Sequence, residues 1–158
     1  MVLVKSQHTS VIYITLLFAI LLTLVPLPDS FRYARPEWVA MTLIYWAMAL
    51  PQRVSIGIAW FTGLVMDVIT GGLLGVHAFA YALVIYLVGR LHLQLRQYPL
   101  WQQAFTILSL IFLVHFIVML SAPVNVTWNH WLTVLTSTLV WPFVYAVLRK
   151  LRRSFQVS

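Results

Sequence analysis

Residues Leu100–Ala122 read LWQQAFTILSLIFLVHFIVMLSA, 23 residues without a Lys, Arg, Asp or Glu. About 20 predominantly apolar residues suffice for a helix to cross a hydrocarbon core roughly 30 Å thick. This stretch therefore reads as a membrane span. The rest of the chain agrees: 62% of the 158 residues are hydrophobic and 8% are charged, where a soluble domain carries about 25% charged residues. Ten cations and three acids cannot cover a globule of this size in water.

Outward from that run, five further apolar stretches appear: 11–25, 36–50, 54–69, 76–93 and 131–148. The first is closed by Pro26-Leu27-Pro28-Asp29, which cannot continue a helix. It is followed by no small-x-small cleavage site, so it reads as an uncleaved anchor. The second is short, though Pro36 is favourable as a first helical residue. A re-entrant hairpin is its rival, but that would leave Arg53 at membrane depth, which is costly. Two short tilted spans joined by Pro51-Gln52-Arg53 cost less. The expectation is an all-α integral membrane protein, one compact bundle of six transmembrane helices.

Basic residues favour the cytoplasmic side. With the N-terminus inside, the inner segments hold Lys5, Arg53, Arg90, Arg96, Arg149, Lys150, Arg152 and Arg153, and the outer ones hold only Arg32 and Arg35. Both termini are thus expected in the cytoplasm. Asp29 and Glu37 offset the two outer cations. The net charge of +7 is then a topology signal rather than a nucleic-acid footprint, with Arg149, Lys150, Arg152 and Arg153 also placed to meet lipid. Trp38, Trp128 and Trp131 at outer span ends, with Tyr98 and Trp101 at an inner end, read as interfacial anchors.

Asp67 is on this reading the one acid inside an apolar run, and such a carboxylate must be paired, hydrated or protonated. It falls near the end of the third span, where a helix C-terminus disfavours negative charge. His77 and His115 are expected at similar depth. A polar cluster with one of them could be a helix lock, or a ligand or proton-relay site. Asp67 also ends a seam of small residues, Ala59-Gly63-Asp67, suited to close helix approach, and Gly71, Gly72 and Gly75 mark the turn that follows. Pro142 is expected to kink the sixth span.

Catalytic signatures are missing. With no Cys, thiol nucleophiles, disulfides and thiolate metal sites are excluded. No metalloprotease, nucleophile-elbow or phosphate-loop motif occurs, and the His residues lack metal-ligand spacing. The chain reads as no enzyme, with no cofactor.

The run Arg35-Pro36-Glu37-Trp38 through Tyr45-Trp46, then Leu50-Pro51-Gln52-Arg53 and Asp67-Val68-Ile69-Thr70-Gly71-Gly72-Leu73-Leu74-Gly75-Val76, resembles the MreD family of rod shape-determining membrane proteins. Leu100-Trp101-Gln102-Gln103-Ala104, Trp141-Pro142-Phe143 and Arg149-Lys150 resemble its Gram-negative version. The resemblance implies an inner-membrane scaffold of the bacterial cell-elongation machinery. Its partners would be MreC, RodA with its penicillin-binding transpeptidase, and the MreB filament. It also implies a fold similar to the six-helix substrate-binding subunits of vitamin uptake transporters, so the alternative is a small-molecule-binding or transport subunit with its polar site near Asp67. No catalytic residue carries over. Arg35, Pro36, Trp38, Pro51, Arg53, Gly63, Asp67, Gly71, Gly75, His77, His115 and Pro142 are candidates for structural or partner-interaction roles.

Overall fold

The computed structural model describes residues 8–121 and 127–157. Lys5 and part of the segment before Asn129 lie outside them. The described chain is helical throughout. The α-helices are α1 (Ser10–Leu24), α2 (Trp38–Ala49), α3 (Ile56–Thr70), α4 (Val76–Gln97), α5 (Leu100–Ser121) and α6 (Leu132–Ser154), with 3-10 turns at Asp29–Ala34 and Trp128–Trp131.

Three helical segments are long and apolar enough to cross a membrane: Val76–Gln97, Leu100–Ser121 and Trp128–Ser154. α1 and α3 are apolar but shorter. Their outer faces are as apolar as their inner ones. Phe18 on α1, Phe61 on α3, Phe79 on α4, Phe105 on α5 and Leu139 on α6 are all exposed. Water would penalise so much contiguous apolar surface, whereas hydrocarbon does not.

The short second stretch has a physical explanation. Every residue of α2 from Val39 to Ala49 is buried, because α1, α4 and α6 all pack against this helix. At 1.5 Å per residue its 12 residues extend only about 18 Å. A helix shielded by protein does not need an apolar length matched to the bilayer. α2 is thus the axis of the bundle, with α3, α4, α5 and α6 following one another as packed neighbours. Tyr45, Trp46 and Trp141 form the aromatic centre of the core, and the Trp46 indole donates to Thr15 Oγ1 at 2.9 Å, tying α2 to α1.

α3 and α4 form the most extensively packed hairpin. A Cβ on Gly63 would lie 2.4 Å from Ala78 Cα and 2.6 Å from the His77 carbonyl carbon. The small-residue seam is therefore spent inside the chain, where backbone meets backbone. On α6, Pro142 faces outward and Trp141 inward. The hydroxyls of Ser137 and Thr138 bond the carbonyls of Thr133 and Val134 one turn back. Thr133 instead donates to the Tyr33 carbonyl, fastening the start of α6 to the α1–α2 connection. At the opposite end buried Gln103 closes the α4–α5 turn, donating to the Leu95 carbonyl at 2.9 Å.

Candidate functional site

Two carboxylate–histidine pairs gather at one end of this bundle, beside the buried Ser137. The first is built by the α3–α4 turn. Gly71 ends α3 in the left-handed region at φ 66°, and Gly75 precedes α4 at φ 101°. Such angles are open to glycine at little steric cost. They fold the first turn of α4 back over Asp67, which is 1% exposed. The carboxylate accepts from the backbone N–H groups of Gly75 at 2.8 Å and His77 at 3.0 Å, with that of Ala78 at 3.5 Å. It also accepts from His77 Nδ1 at 2.8 Å. A carboxylate can only accept, so Nδ1 carries the proton.

This geometry answers the charge problem posed by the sequence. Asp67 stands in the last turn of α3 but caps the N-terminus of α4, where orphan N–H groups and the helix dipole favour an anion. The side chain acts as an N-cap delivered from the preceding helix.

The second pair joins residues distant in sequence. Glu37, immediately before α2, lies 3.2 Å from His115 Nε2 on α5, and both side chains are largely buried. The approach is close but not aligned as a hydrogen bond. The Glu37 N–H donates to Ser137 Oγ at 2.9 Å, which passes its own proton to the Thr133 carbonyl. Glu37 remains within electrostatic reach of Arg35, as expected of a counter-charge, but it also turns inward to His115. Asp67 is thus not the one carboxylate of the interior. The reason is steric. Pro36 and the start of α2 direct the chain into the bundle axis, carrying the neighbouring acid with it.

Tyr81 on α4 stands between the pairs. Its ring meets His77 edge-on at 5.8 Å between centroids, and both Glu37 and Asp67 lie within its electrostatic reach. Its hydroxyl is buried without a hydrogen-bond partner among the described residues. Nothing in the sequence singles out Tyr81, and Glu37 and Ser137 are legible there only as an outer-loop charge and a local hydrogen-bonding hydroxyl. An acid at a helix start is a recognisable signal, but nothing local marks it as a partner of His115. Among the described residues no group of three or more His, Asp or Glu gathers as metal ligands.

The remaining candidates are spread over the molecule. Arg35 reaches back to the carbonyls of Thr23 and Val25 at the end of α1, supplying donors that a helix C-terminus lacks. Pro36 accepts from the Trp38 N–H at 3.0 Å, and Trp38 packs on the core. Pro51 begins the turn after α2, and Arg53 in that turn meets Thr9 Oγ1 at 3.2 Å. Arg149, Lys150, Arg152 and Arg153 lie in the last turns of α6, far from both carboxylate pairs. The bundle is thus polarised, with the His-paired acids at one end and most of the cations at the other.

The sequence model of the family described as rod shape-determining protein MreD matches residues 5–151. A curated relative, the rod shape-determining protein MreD of Haemophilus influenzae, is 34% identical over 143 residues, covering 88% of each chain. No solved structure matches.

Proposed function

Because the chain belongs to the MreD family of rod shape-determining proteins, we propose that it is a non-enzymatic, six-span scaffold of the inner membrane. Both termini face the cytoplasm, where the cation-rich end meets the positive-inside preference. It binds MreC and, directly or through it, RodA with its penicillin-binding transpeptidase and the MreB filament. In this way it organises or regulates peptidoglycan synthesis.

The observation that carries the scaffold reading is that Asp67 and Ser137 are committed to contacts within the bundle. Asp67 is occupied by the first turn of α4. Ser137 both accepts and donates, and Glu37 faces His115. These groups hold α2, α3, α4, α5 and α6 in register; none is arranged as a nucleophile beside its base. Since the Gly63 seam is covered internally, partner helices would meet the exposed aromatic and aliphatic faces.

A cavity of about 370 Å³ bordered by Asp67, His77, Val118 and Ser121 favours a second reading, a small-molecule-binding or transport subunit, as in the vitamin-transporter subunits that the resemblance implies. Affinity purification from membranes separates the two. The scaffold reading expects elongation proteins to co-purify. A stoichiometric bound metabolite without them would overturn it.

A further inference from the structure

We propose that the cation-rich end of the bundle is a built binding site for the headgroup of an anionic phospholipid, with an acyl chain lying in the apolar groove beside it.

Arg96 at the end of α4 and Arg149, Arg152 and Arg153 at the end of α6 border a cavity of about 400 Å³ that Tyr45 and Tyr145 also line. The Arg149 guanidinium stands 6.0 Å from the Tyr145 ring centroid, and that of Arg152 lies beside the Tyr45 hydroxyl. The chain's acidic side chains are Asp29, Glu37 and Asp67. None borders this cavity, and both ion pairs among the described residues lie elsewhere. Three helix C-termini also converge here, each contributing about half a negative charge. Four guanidinium groups outweigh them, leaving a net cationic pocket of the kind that binds phosphate headgroups between membrane helices.

The end of α6 is fixed rather than frayed. Gln156 takes φ 48°. The Val157 N–H then bonds the Arg152 carbonyl at 3.1 Å, and that of Gln156 bonds the Arg153 carbonyl at 3.3 Å. This is a Schellman closure, and Val157 is buried against the core as its hydrophobic contact. Arg152 and Arg153 are thereby held toward the cavity.

A second hollow of about 420 Å³ shares Tyr145, Arg149 and Arg153 with the first and continues along Leu100, Pro142 and Ala146. The polar hollow and the apolar groove adjoin at the same cations. That juxtaposition matches a phospholipid, charged at one end and apolar at the other, better than a free phosphate or an acidic protein segment. The inference rests on the membrane-spanning reading, though not on any partner protein.

The test uses the full chain purified into phosphatidylcholine nanodiscs and titrated with phosphatidylglycerol, with bound lipid counted by native mass spectrometry. One phosphatidylglycerol should be retained in preference to phosphatidylcholine. Arg149→Gln with Arg152→Gln should weaken that retention about thirtyfold, each cation near a membrane surface being worth roughly a factor of five. Arg96→Gln alone should weaken it about fivefold by the same reckoning. The charge-matched pair Arg32→Gln with Arg90→Gln should leave it unchanged. Ala146→Trp, which fills the groove, should weaken lipid retention and spare binding of soluble glycerol phosphate. Melting temperatures in phosphatidylcholine alone verify that each variant is folded. Equal retention by the wild type and the Arg149→Gln, Arg152→Gln variant would overturn the proposal. So would retention untouched by Ala146→Trp, since the ligand would then be the anion alone. So would an acidic protein segment cross-linking to this pocket in place of lipid. Co-purification of elongation proteins is a separate measurement, so loss of either reading leaves the other standing.

Discussion

Glu37 lies 3.2 Å from His115 Nε2 across the interior of the bundle, so the start of α2 is held against the C-terminal half of α5 by a contact between residues far apart in the chain. The pair sits beside Asp67 and His77, and together they make one end of a mostly apolar protein polar.

The Glu37–His115 relationship is measurable as a coupling. Glu37→Ala and His115→Ala should each destabilise the protein, and the double variant should lose less than the sum. The coupling should fall between about 0.5 and 3 kcal/mol, as for other residues in direct contact. A double-mutant cycle by thermal unfolding in detergent measures it, and strict additivity would show that the two side chains do not interact.

Asp67→Ala should leave the Gly75 and His77 N–H groups unpaired and cost about 1–3 kcal/mol for the first buried donor stranded. Asp67→Asn, which retains one acceptor oxygen, should cost less. Asp29→Ala, at an exposed position, should be nearly silent. Cell shape in a strain complemented at matched expression is the readout. Equal, mild effects of Asp67→Ala and Asp29→Ala would refute the cap.

Gly63→Ala places a methyl group against the Ala78 backbone, where no flexible side chain can yield. It should destabilise by about 1–3 kcal/mol, in the range of overpacked cores. Gly89→Ala meets open space and should be neutral or gain up to about 1 kcal/mol from helix propensity. Monodisperse yield in gel filtration and thermal unfolding should place Gly63→Ala below the wild type and Gly89→Ala level with it or above.

The arrangement of the ends predicts a labelling pattern. His8→Cys and Ser154→Cys in intact cells should resist a membrane-impermeant thiol reagent, and Asn129→Cys should react. The natural chain contains no Cys, so any background is external. Reaction of His8→Cys or Ser154→Cys from outside would overturn the orientation.

The membrane class, the helical architecture and the family were legible in the sequence, because each rests on local quantities. Apolar length, charge count and the Pro and Gly punctuation are read one segment at a time. The Leu100–Ala122 run needs no neighbour to be recognised as a span. The turn Gly71–Gly75 was equally readable, since two residues with positive φ leave their mark as glycine. Asp67 stood out for a similar reason, as an acid in an apolar run.

Tertiary structure alone decided what those residues meet. α2 looked like a weak span because length was judged against lipid; its burial on all sides changed the solvent against which it is measured. Asp67 looked misplaced at a helix C-terminus until the N-terminus of α4 folded onto it. Glu37 looked like surface charge until the chain path carried it to His115. Local sequence sets how much apolar surface and how much charge each segment brings. Which charge is buried, and beside what, is set by contacts between segments, and single-segment patterns carry no record of them.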